Sequence, residues 1–196
     1  MLTTTSLFPK SGDRMTLEEF RALNLPEESS LILLNGVVFD EDDAGSEMTR
    51  RSHRHARAEL RIGRFLDEWL ERTAIPATAF SGEVGCELPS QGFVGIDVAV
   101  FSNDIVAESD GNPYIAGVPL LAVEVLSMND RQGAVSEKVT NYLAAGVKQV
   151  WVVDTHFKTI IIHQHSHVPE MFATGSSLSG GDTLPGLSIS VADIFS

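Results

Sequence analysis

Two acidic residues interrupt two apolar stretches of this 196-residue chain. Asp97 lies within "GFVGIDVAVF" and Glu124 lies within "VPLLAVEVLS", and both stretches have the composition of buried β-strands. An ionised carboxylate in a dry interior costs several kcal/mol of folding free energy. Such a residue can pair with a base, stay protonated, sit at a strand end that water reaches, or bind a cation.

A shared cation site is the interpretation that explains both acids together. A hard divalent cation such as Mg²⁺ takes oxygen ligands and keeps several waters, so two carboxylates are enough to hold it. The alternative is that Asp97 and Glu124 are unrelated residues that face water from edge strands. Both possibilities are open from these two residues alone.

Lys138 adds a third group to the hypothesis. It shares a helical face with Val135 and Tyr142, which are predicted to face the sheet, so Lys138 is expected to point inward as well. An ammonium beside a metal site can hold an attacking water or the scissile phosphate. The alternative is an ordinary surface lysine whose aliphatic stem lies along the protein.

Periodicity and turn signals predict the elements that would position these residues. A capping-box pattern begins a short helix predicted at 15–23. The dipeptide Asn35-Gly36 predicts a β-hairpin over 30–41, followed by a polar loop at 40–47. The longest helical pattern covers 49–72, and its apolar stripe is Ala58, Ile62, Phe65 and Trp69.

The remainder of the chain reads as strands around one further helix. A pair of strands is predicted within 76–102, a connection with a short helical piece at 104–117, and a strand at 119–127. A helix is predicted at 129–146, capped by Asn129 or Asp130 and ended by Gly146. Strands at 147–154 and 158–165 follow, and then a final strand and turn at 184–195. This order predicts an α/β (α+β) fold with a mixed β-sheet flanked by helices and an N-terminal β-hairpin. We expect an N-terminal tail at 1–14 and a single domain at 15–196.

Composition narrows the class of protein. The chain is 43% hydrophobic with a net charge of −13, which argues against a general nucleic-acid coat protein but leaves room for a local basic surface. Cys86 is the sole cysteine, so no intrachain disulfide and no cysteine-based zinc site is expected. No apolar run approaches the ~20 residues of a membrane span and no signal peptide is recognisable, so a cytoplasmic location is expected.

Arginines recur along one side of the predicted long helix. They are spaced by three or four residues, at Arg50, Arg54, Arg57, Arg61 and Arg64. One interpretation is a surface that contacts a nucleic-acid backbone, and the other is a solvated face balanced by Glu59, Asp67 and Glu68. His55 begins the same helix and could contact a phosphate, or pack and hydrogen-bond.

Two further stretches are given ordinary structural interpretations. "HQHSH" brings His163, His165 and His167 to one side if the strand persists, but no acid or cysteine supports a metal site there. It is therefore interpreted as a polar strand end. "GSSLSGG" (175–181) lacks the lysine and hydroxyl signature of a phosphate loop and is predicted to be a loop.

The chain resembles the Uma2 or DUF820 family, which is classed with the PD-(D/E)xK restriction-endonuclease-like superfamily. The most specific resemblance is "VEVLS" followed by Lys138, Tyr142, "AGV" and "VWVVD". Weaker matches are "LLNGVV", the Ser52 and His55 pair, "GCELP", "GIDVAVF" and "LPGLSISVADIF", so that the resemblance covers roughly 15–196.

The resemblance implies a metal-dependent endonuclease that hydrolyses phosphodiester bonds, with DNA as the expected substrate. Asp97, Glu124 and the Val125 carbonyl would hold Mg²⁺ or Mn²⁺, and Lys138 would orient the nucleophile or stabilise the transition state. His55, Arg54, Arg57 and Arg61 would contact nucleic acid. A homodimer is expected if both strands of a duplex are cut, and no membrane partner is expected.

Two departures from the family pattern keep an alternative open. Ile96 stands where the superfamily motif has proline, which is not a ligand. More seriously, the hairpin carries Ile32, Asn35 and Val37 where the family usually has acids, although Glu83 or Glu87 could substitute. The alternative is a catalytically weakened or inactive, dimeric, nucleic-acid-binding homologue. A hydrolase of another phosphoester, such as a nucleotide, is a third hypothesis that lacks a recognisable nucleotide loop.

Overall fold

The computed structural model describes residues 8–23, 25, 31–34, 36–40, 52–89, 92–127, 130 and 132–196. The chain forms two compact units, Met1–Arg51 and Ser52–Ser196. The predicted single domain at 15–196 includes parts of both units and stays a prediction. Several sequence predictions lie outside the described residues: the loop at 41–47, the turn residue Asn35, the cap Asn129 and the first arginine of the stripe, Arg50.

Where the structure describes it, the first unit contains one helix and one hairpin: α1 (Leu17–Ala22), β1 (Leu31–Leu34) and β2 (Val37–Asp40). The predicted capping box is present, because the Thr16 hydroxyl accepts from the Glu19 backbone N–H and the Glu19 carboxylate accepts from the Thr16 N–H at 2.7 Å. The strands pair antiparallel and Gly36 turns between them with φ +78°, which confirms the hairpin.

The end of the predicted N-terminal tail also takes part in this unit. The Gly12 N–H donates to the Val38 carbonyl at 2.8 Å, and the Val38 N–H donates to the Asp13 carbonyl at 2.7 Å. Val38 itself is fully buried. Residues 12 and 13 therefore extend the hairpin by backbone hydrogen bonds, a non-local pairing that the local sequence does not signal.

The second unit contains four helices and nine strands in its described part. They are α2 (His53–Thr73), β3 (Ala77–Leu88), β4 (Gly92–Ser102), α3 (Asn103–Glu108), β5 (Ile115–Ala116), β6 (Leu121–Leu126), α4 (Gln132–Ala145), β7 (Gln149–Asp154), β8 (Thr159–Gln164), β9 (Glu170–Ala173), β10 (Ser177–Ser179), β11 (Ser188–Ser190) and α5 (Val191–Ile194). None of the described helices is long and apolar enough to cross a membrane.

Seven of these strands form one mixed sheet in the order β5-β3-β4-β6-β7-β8-β9. The β6–β7 and β3–β5 pairs are parallel and the other four pairs are antiparallel. The helix α4 connects the parallel strands β6 and β7, as a crossover between neighbouring parallel strands requires. The predicted α/β fold with a mixed, helix-flanked sheet is confirmed.

Each face of the sheet is covered by one long helix. The helix α2 buries Ala58, Ile62, Leu66 and Trp69 against one face, together with the C-terminal elements β10, β11 and α5. The helix α4 buries Val139 and Tyr142 against the other face. Gly146, with φ +105°, follows the end of α4 as predicted. The central strands β4, β6 and β7 are consequently buried on both sides.

Two details of the second unit differ from the sequence prediction. The segment 175–181 was predicted to be a loop, but it contains β10, which pairs antiparallel with β11 and buries Leu178. The prediction was wrong because a three-residue strand is stabilised by a distant partner rather than by its own composition. The final "SVADIF" forms the short helix α5 rather than a turn.

Candidate active site

The two predicted acids lie where β4 and β6 stop pairing. Their antiparallel register ends with Val98 opposite Val123, so Asp97 and Glu124 are the next residues on each strand. One Asp97 carboxylate oxygen, Oδ2, accepts a hydrogen bond from the Val125 backbone N–H at 2.7 Å. Both acids are buried, with 6% of Asp97 and 7% of Glu124 exposed. The structure thus brings together Asp97, Glu124 and Val125, the three residues predicted to hold metal.

Two residues of α4 hydrogen-bond the Glu124 carboxylate. The Lys138 ammonium lies 2.7 Å from Oε2, and the Tyr142 hydroxyl donates to Oε1 at 2.7 Å. Lys138 and Tyr142 are four residues apart, so they project from the same face of the helix. Tyr142 is buried, whereas the Lys138 side chain is about half exposed at 53%. Lys138 therefore joins the buried carboxylate to the solvent.

The ionisation of these groups follows from burial and from their neighbours. Burial raises the pKa of Glu124 against the opposing effects of Lys138 and Tyr142, and the nearby Asp97 charge raises it further. Burial pulls the pKa of Lys138 down, but the carboxylates of Glu124 and Asp97 outweigh it, so that pKa is raised. The two shifts are compatible because the half-exposed Lys138 loses less hydration than Glu124. Burial and the Glu124 charge also raise the pKa of Tyr142.

A second cluster meets Asp97 from the α2 side of the sheet. His55 Nε2 lies 3.6 Å from Asp97 Oδ2 and 3.7 Å from Glu59 Oε2. All three residues are buried, and each offers one metal-ligand atom within 4.8 Å of the others. It is the one such group of three among the residues that the structure describes. Asp97 is common to this cluster and to the predicted metal ligands.

Local features of α2 and β3 hold the cluster in place. Ser52 caps α2, accepting from the His55 N–H at 3.2 Å. His55 and Glu59 are one turn apart and therefore project from the same face. The other Glu59 oxygen accepts from the Gly82 N–H, where β3 shifts register against β4. The irregularity in β3 thus supplies a donor that fixes the Glu59 carboxylate.

Comparison with known proteins identifies the family of this chain. No curated protein matches it. The family model Uma2, described as "Putative restriction endonuclease", matches residues 17–192. The chain belongs to the Uma2 family. The predicted family resemblance is thereby confirmed.

Solved structures provide a second comparison for this Uma2 chain. It is similar to the crystal structure titled as a putative nuclease belonging to DUF820 from Anabaena variabilis ATCC 29413, with 21% sequence identity and a TM-score of 0.65. The match covers 92% of this chain and 97% of the other. A structure titled as a DrdV–DNA complex matches at 14% identity and a TM-score of 0.36, covering 59% of this chain and 10% of that one. The first comparison shows that the fold is shared.

Glu59 was not among the predicted site residues. One of the two interpretations of the arginine stripe placed it on a solvated face, but the structure buries it beside His55 and Asp97. The signal was present, because Glu59 follows Ala58 and precedes Ile62 on the predicted apolar stripe of this Uma2 chain. Glu83 and Glu87, which were considered as substitute acids, are exposed on β3.

The arginine stripe does not present a uniform surface in the described residues. Arg54 and Arg57 are exposed and Arg61 is half-buried, whereas Arg64 pairs with Glu68 at 3.0 Å. His55 is buried with the carboxylates and is not displayed beside the arginines. The stripe therefore divides into an exposed N-terminal part, Arg54 and Arg57, and a C-terminal part in which Arg64 pairs with a neighbour on the same helix.

The histidine-rich stretch has the structure of a polar strand end. The strand β8 ends at Gln164, and His165 and His167 follow in a turn where both are exposed. Burial lowers the pKa of His163. Among the described residues these histidines do not form a group of three metal donors with neighbouring acids.

Proposed function

We propose that this Uma2 protein is a metal-dependent endonuclease that hydrolyses phosphodiester bonds of nucleic acid, with DNA as its substrate. The observation that carries the proposal is the position of Asp97. Its carboxylate accepts from the Val125 N–H, beside Glu124, and also lies 3.6 Å from His55. Two buried acids thus lie where β4 and β6 stop pairing, and a lysine is hydrogen-bonded to one of these acids. Such a group of side chains suits the hydrolysis of a charged ester.

The donor atoms at this position fit a divalent cation. We assign Asp97, Glu124 and the Val125 carbonyl as ligands of Mg²⁺ or Mn²⁺, and we add Glu59 and His55 as supporting donors. Oxygen donors suit Mg²⁺, and the imidazole is a better ligand for Mn²⁺. When bound, such an ion lowers the pKa of a bound water and neutralises charge on the phosphate.

The role assigned to Lys138 follows from its geometry. Its ammonium is fixed by Glu124 at 2.7 Å while half of the side chain remains exposed. It can therefore donate a hydrogen bond to an incoming water or to a phosphate oxygen without leaving the acid. A cation in that position stabilises the negative charge that develops in the transition state.

The position of Glu59 argues against the alternative of an inactive homologue. That alternative rests on the absence of the usual acids from the hairpin, at Ile32, Asn35 and Val37. Because Glu59 lies beside His55 and Asp97, a supporting carboxylate comes from α2 instead. The two hypotheses are separated by calorimetric titration with Mn²⁺. We expect saturable binding that is weakened in Glu59→Gln, whereas an inactive descendant need not bind metal.

The proposal is tested by cleavage of supercoiled plasmid DNA, with single-stranded RNA as the competing substrate. We expect nicking or linearisation with Mg²⁺ or Mn²⁺, none in EDTA, and a loss of at least a hundredfold in Lys138→Ala, the order expected when one transition-state donor is removed. Lys148→Ala is the matched control, because Lys148 is exposed and lies beyond the C-terminal end of α4, just before β7. Equal activity in Lys138→Ala and the wild type would contradict the assignment.

Two broader proposals accompany the activity. We propose a homodimer, since two copies of the site are needed to cut both strands of a duplex at once. Light scattering at several protein concentrations measures this state directly. We also propose that the protein acts in the cytoplasm.

A further inference from the structure

A cavity of about 500 Å³ lies beside the start of α2 and is lined by basic side chains from two elements. His53, Arg54 and Arg57 come from α2, and His156 and Lys158 come from the turn between β7 and β8. We call these five residues the basic pocket. The function proposed above assigns no role to His53, His156 or Lys158.

The charge of the basic pocket is unusual for this protein. The chain has 27 acidic residues and 14 lysines and arginines, yet none of the aspartates and glutamates that the structure describes lines this cavity. Among the described residues, no ion pair to Arg54 or Lys158 is present. Arg57 donates one hydrogen bond, from Nε to a main-chain oxygen of the terminal Ser196 at 3.2 Å, out of the five N–H donors of a guanidinium. Arg54 and Lys158, which have no ion-pair partner among the described residues, and the remaining N–H donors of Arg57 are suited to an anion.

The turn that carries Lys158 is held in one conformation by its own hydrogen bonds. Asp154 Oδ1 accepts from the backbone N–H groups of His156 at 2.9 Å and Phe157 at 2.8 Å. Lys158 has φ +53°, a left-handed conformation that closes the turn. The lysine is therefore presented from a defined backbone towards the first turns of α2, rather than from a loose connection.

The basic pocket lies close to the proposed active site. Glu124 is opposite Val152 and Leu126 is opposite Asp154 in the β6–β7 register, so the turn begins two residues beyond the level of Glu124. At ~3.3 Å per strand residue, the turn starts roughly 7 Å along the strands beyond the level of Glu124. A nucleic-acid strand that passes the acids would therefore also pass the pocket.

We propose that the basic pocket binds a backbone phosphate of the nucleic acid, close to the bond that is cut. The inference rests on the proposed nuclease function and specifies how its substrate is held. Arg54, Arg57 and Lys158 supply the charge, and Arg57 also supplies paired N–H donors that match phosphate oxygens. Phosphate contacts fix the register of a duplex without reading its sequence, so the pocket positions the substrate for the acids.

The test is the affinity of fluorescein-labelled duplex DNA measured by anisotropy in EDTA, over a series of salt concentrations. Lys158→Gln and Arg54→Gln are each expected to weaken binding about five- to tenfold, and to reduce the slope of log affinity against log salt by about one. Arg64→Gln is the matched control, because Arg64 lies on the same helix and is paired with Glu68. It is expected to bind like the wild type. Thermal melts confirm that each variant is folded.

A 5′-phosphorylated and an unphosphorylated duplex identify the source of the phosphate. If the two duplexes bind with equal affinity and Lys158→Gln weakens both equally, the pocket binds a backbone phosphate. If the phosphorylated duplex binds more tightly, that part of the proposal is overturned in favour of a terminal phosphate. Wild-type affinity and slope in both pocket variants, or no binding by the wild type, overturn the pocket. If binding depends on Lys158 but no duplex is cut with Mg²⁺ or Mn²⁺, the nuclease function fails while the phosphate site stands.

Discussion

Glu124 shows how a buried acid can be retained inside an apolar strand. Lys138 and Tyr142 each donate a hydrogen bond to it at 2.7 Å, yet burial still leaves its pKa raised. The compensation is therefore incomplete in the chain alone, and a cation at Asp97 would complete it. Because the negative charge of Glu124 is only partly compensated in the metal-free protein, a bound cation would stabilise its ionised form.

The raised pKa of Glu124 sets the direction of a stability measurement. Above its ordinary value of 4.5 and up to its raised native value, the folded protein holds more protons than the unfolded chain. Stability contributed by this group is thus lost as pH rises through that window. Glu124→Gln removes the loss, so in EDTA we expect the variant to equal the wild type near pH 4 and to exceed it by about 1 kcal/mol at pH 8.

Urea unfolding of both proteins at several pH values measures this difference. Added Mg²⁺ or Mn²⁺ should stabilise the wild type and leave Glu124→Gln nearly unchanged. The substitution leaves Lys138 without its acid, but the half-exposed ammonium remains hydrated and costs little. A variant that is several kcal/mol less stable than the wild type in EDTA, together with no effect of metal on the wild type, would show that Glu124 serves a structural ion pair.

Asp97, Glu124 and Lys138 can be predicted as candidate site residues because a charge in an apolar strand, or on the inward face of a helix, is visible in the residue order. Glu59 carries a weaker signal, because it lies at the margin of an amphipathic stripe where burial and exposure are both common. What decides its position is the Gly82 N–H at the irregularity in β3, twenty or more residues away. Contacts of that kind are set by tertiary structure.

At the scale of elements, α2 ends in a conformation that its sequence does not favour. Its C-cap is Ala74, with φ 52° and ψ 28°, and the Ala74 N–H donates to the Leu70 carbonyl at 2.9 Å. The left-handed conformation costs a residue with a Cβ about 1–2 kcal/mol, and glycine avoids the cost. The helix is nonetheless held in place by its apolar face, which packs Leu66 and Trp69 into the core.

Ala74→Gly is therefore expected to stabilise the protein by about 0.5–1 kcal/mol, the left-handed penalty less the extra entropy that glycine gives to the unfolded chain. Ala56→Gly is the matched comparison, because Ala56 is an exposed alanine of the same helix with ordinary helical backbone, four residues after the N-cap Ser52. That change should destabilise the protein by about 1 kcal/mol. Chemical denaturation gives both values, and a loss of stability in Ala74→Gly would contradict the account of this cap.

The predicted elements succeeded where local signals were strong and failed where partners were distant. The Thr16 capping box, the hairpin turn and the end of α4 at Gly146 are encoded within a few residues. The strand β10 exists because β11 lies beside it, and residues 12 and 13 are ordered against β2. Periodicity alone cannot report such pairings.

At the scale of the whole molecule, the negative net charge and the positive basic pocket have opposite effects on a nucleic acid. The net charge of −13 repels a polyanion, while the basic pocket attracts it locally. Ions screen charges beyond about 8 Å at physiological ionic strength, so the two effects are partly separated in space. A nucleic acid would then be held by a few contacts on an acidic protein rather than by a broad positive surface.

Both hydrophobic clusters of the second unit are formed entirely by residues of Ser52–Ser196, and all the site residues belong to the same unit. A fragment of residues 52–196 is therefore expected to melt cooperatively and to retain Mn²⁺ binding within about threefold of the full chain. Circular dichroism and calorimetry measure the two properties. A fragment without a cooperative transition would show that residues 1–51 are required for folding.

Cys86 has a practical consequence for chemical labelling. It is the sole cysteine of the chain. It lies on β3 and is fully buried on the face of the sheet that α4 covers, and this burial raises its pKa to about 11. The thiolate is the form that reacts with maleimides, and at neutral pH Cys86 holds very little of it. A fluorophore or spin label can thus be attached at a cysteine placed on an exposed position such as Ser136, with the native thiol left in the chain.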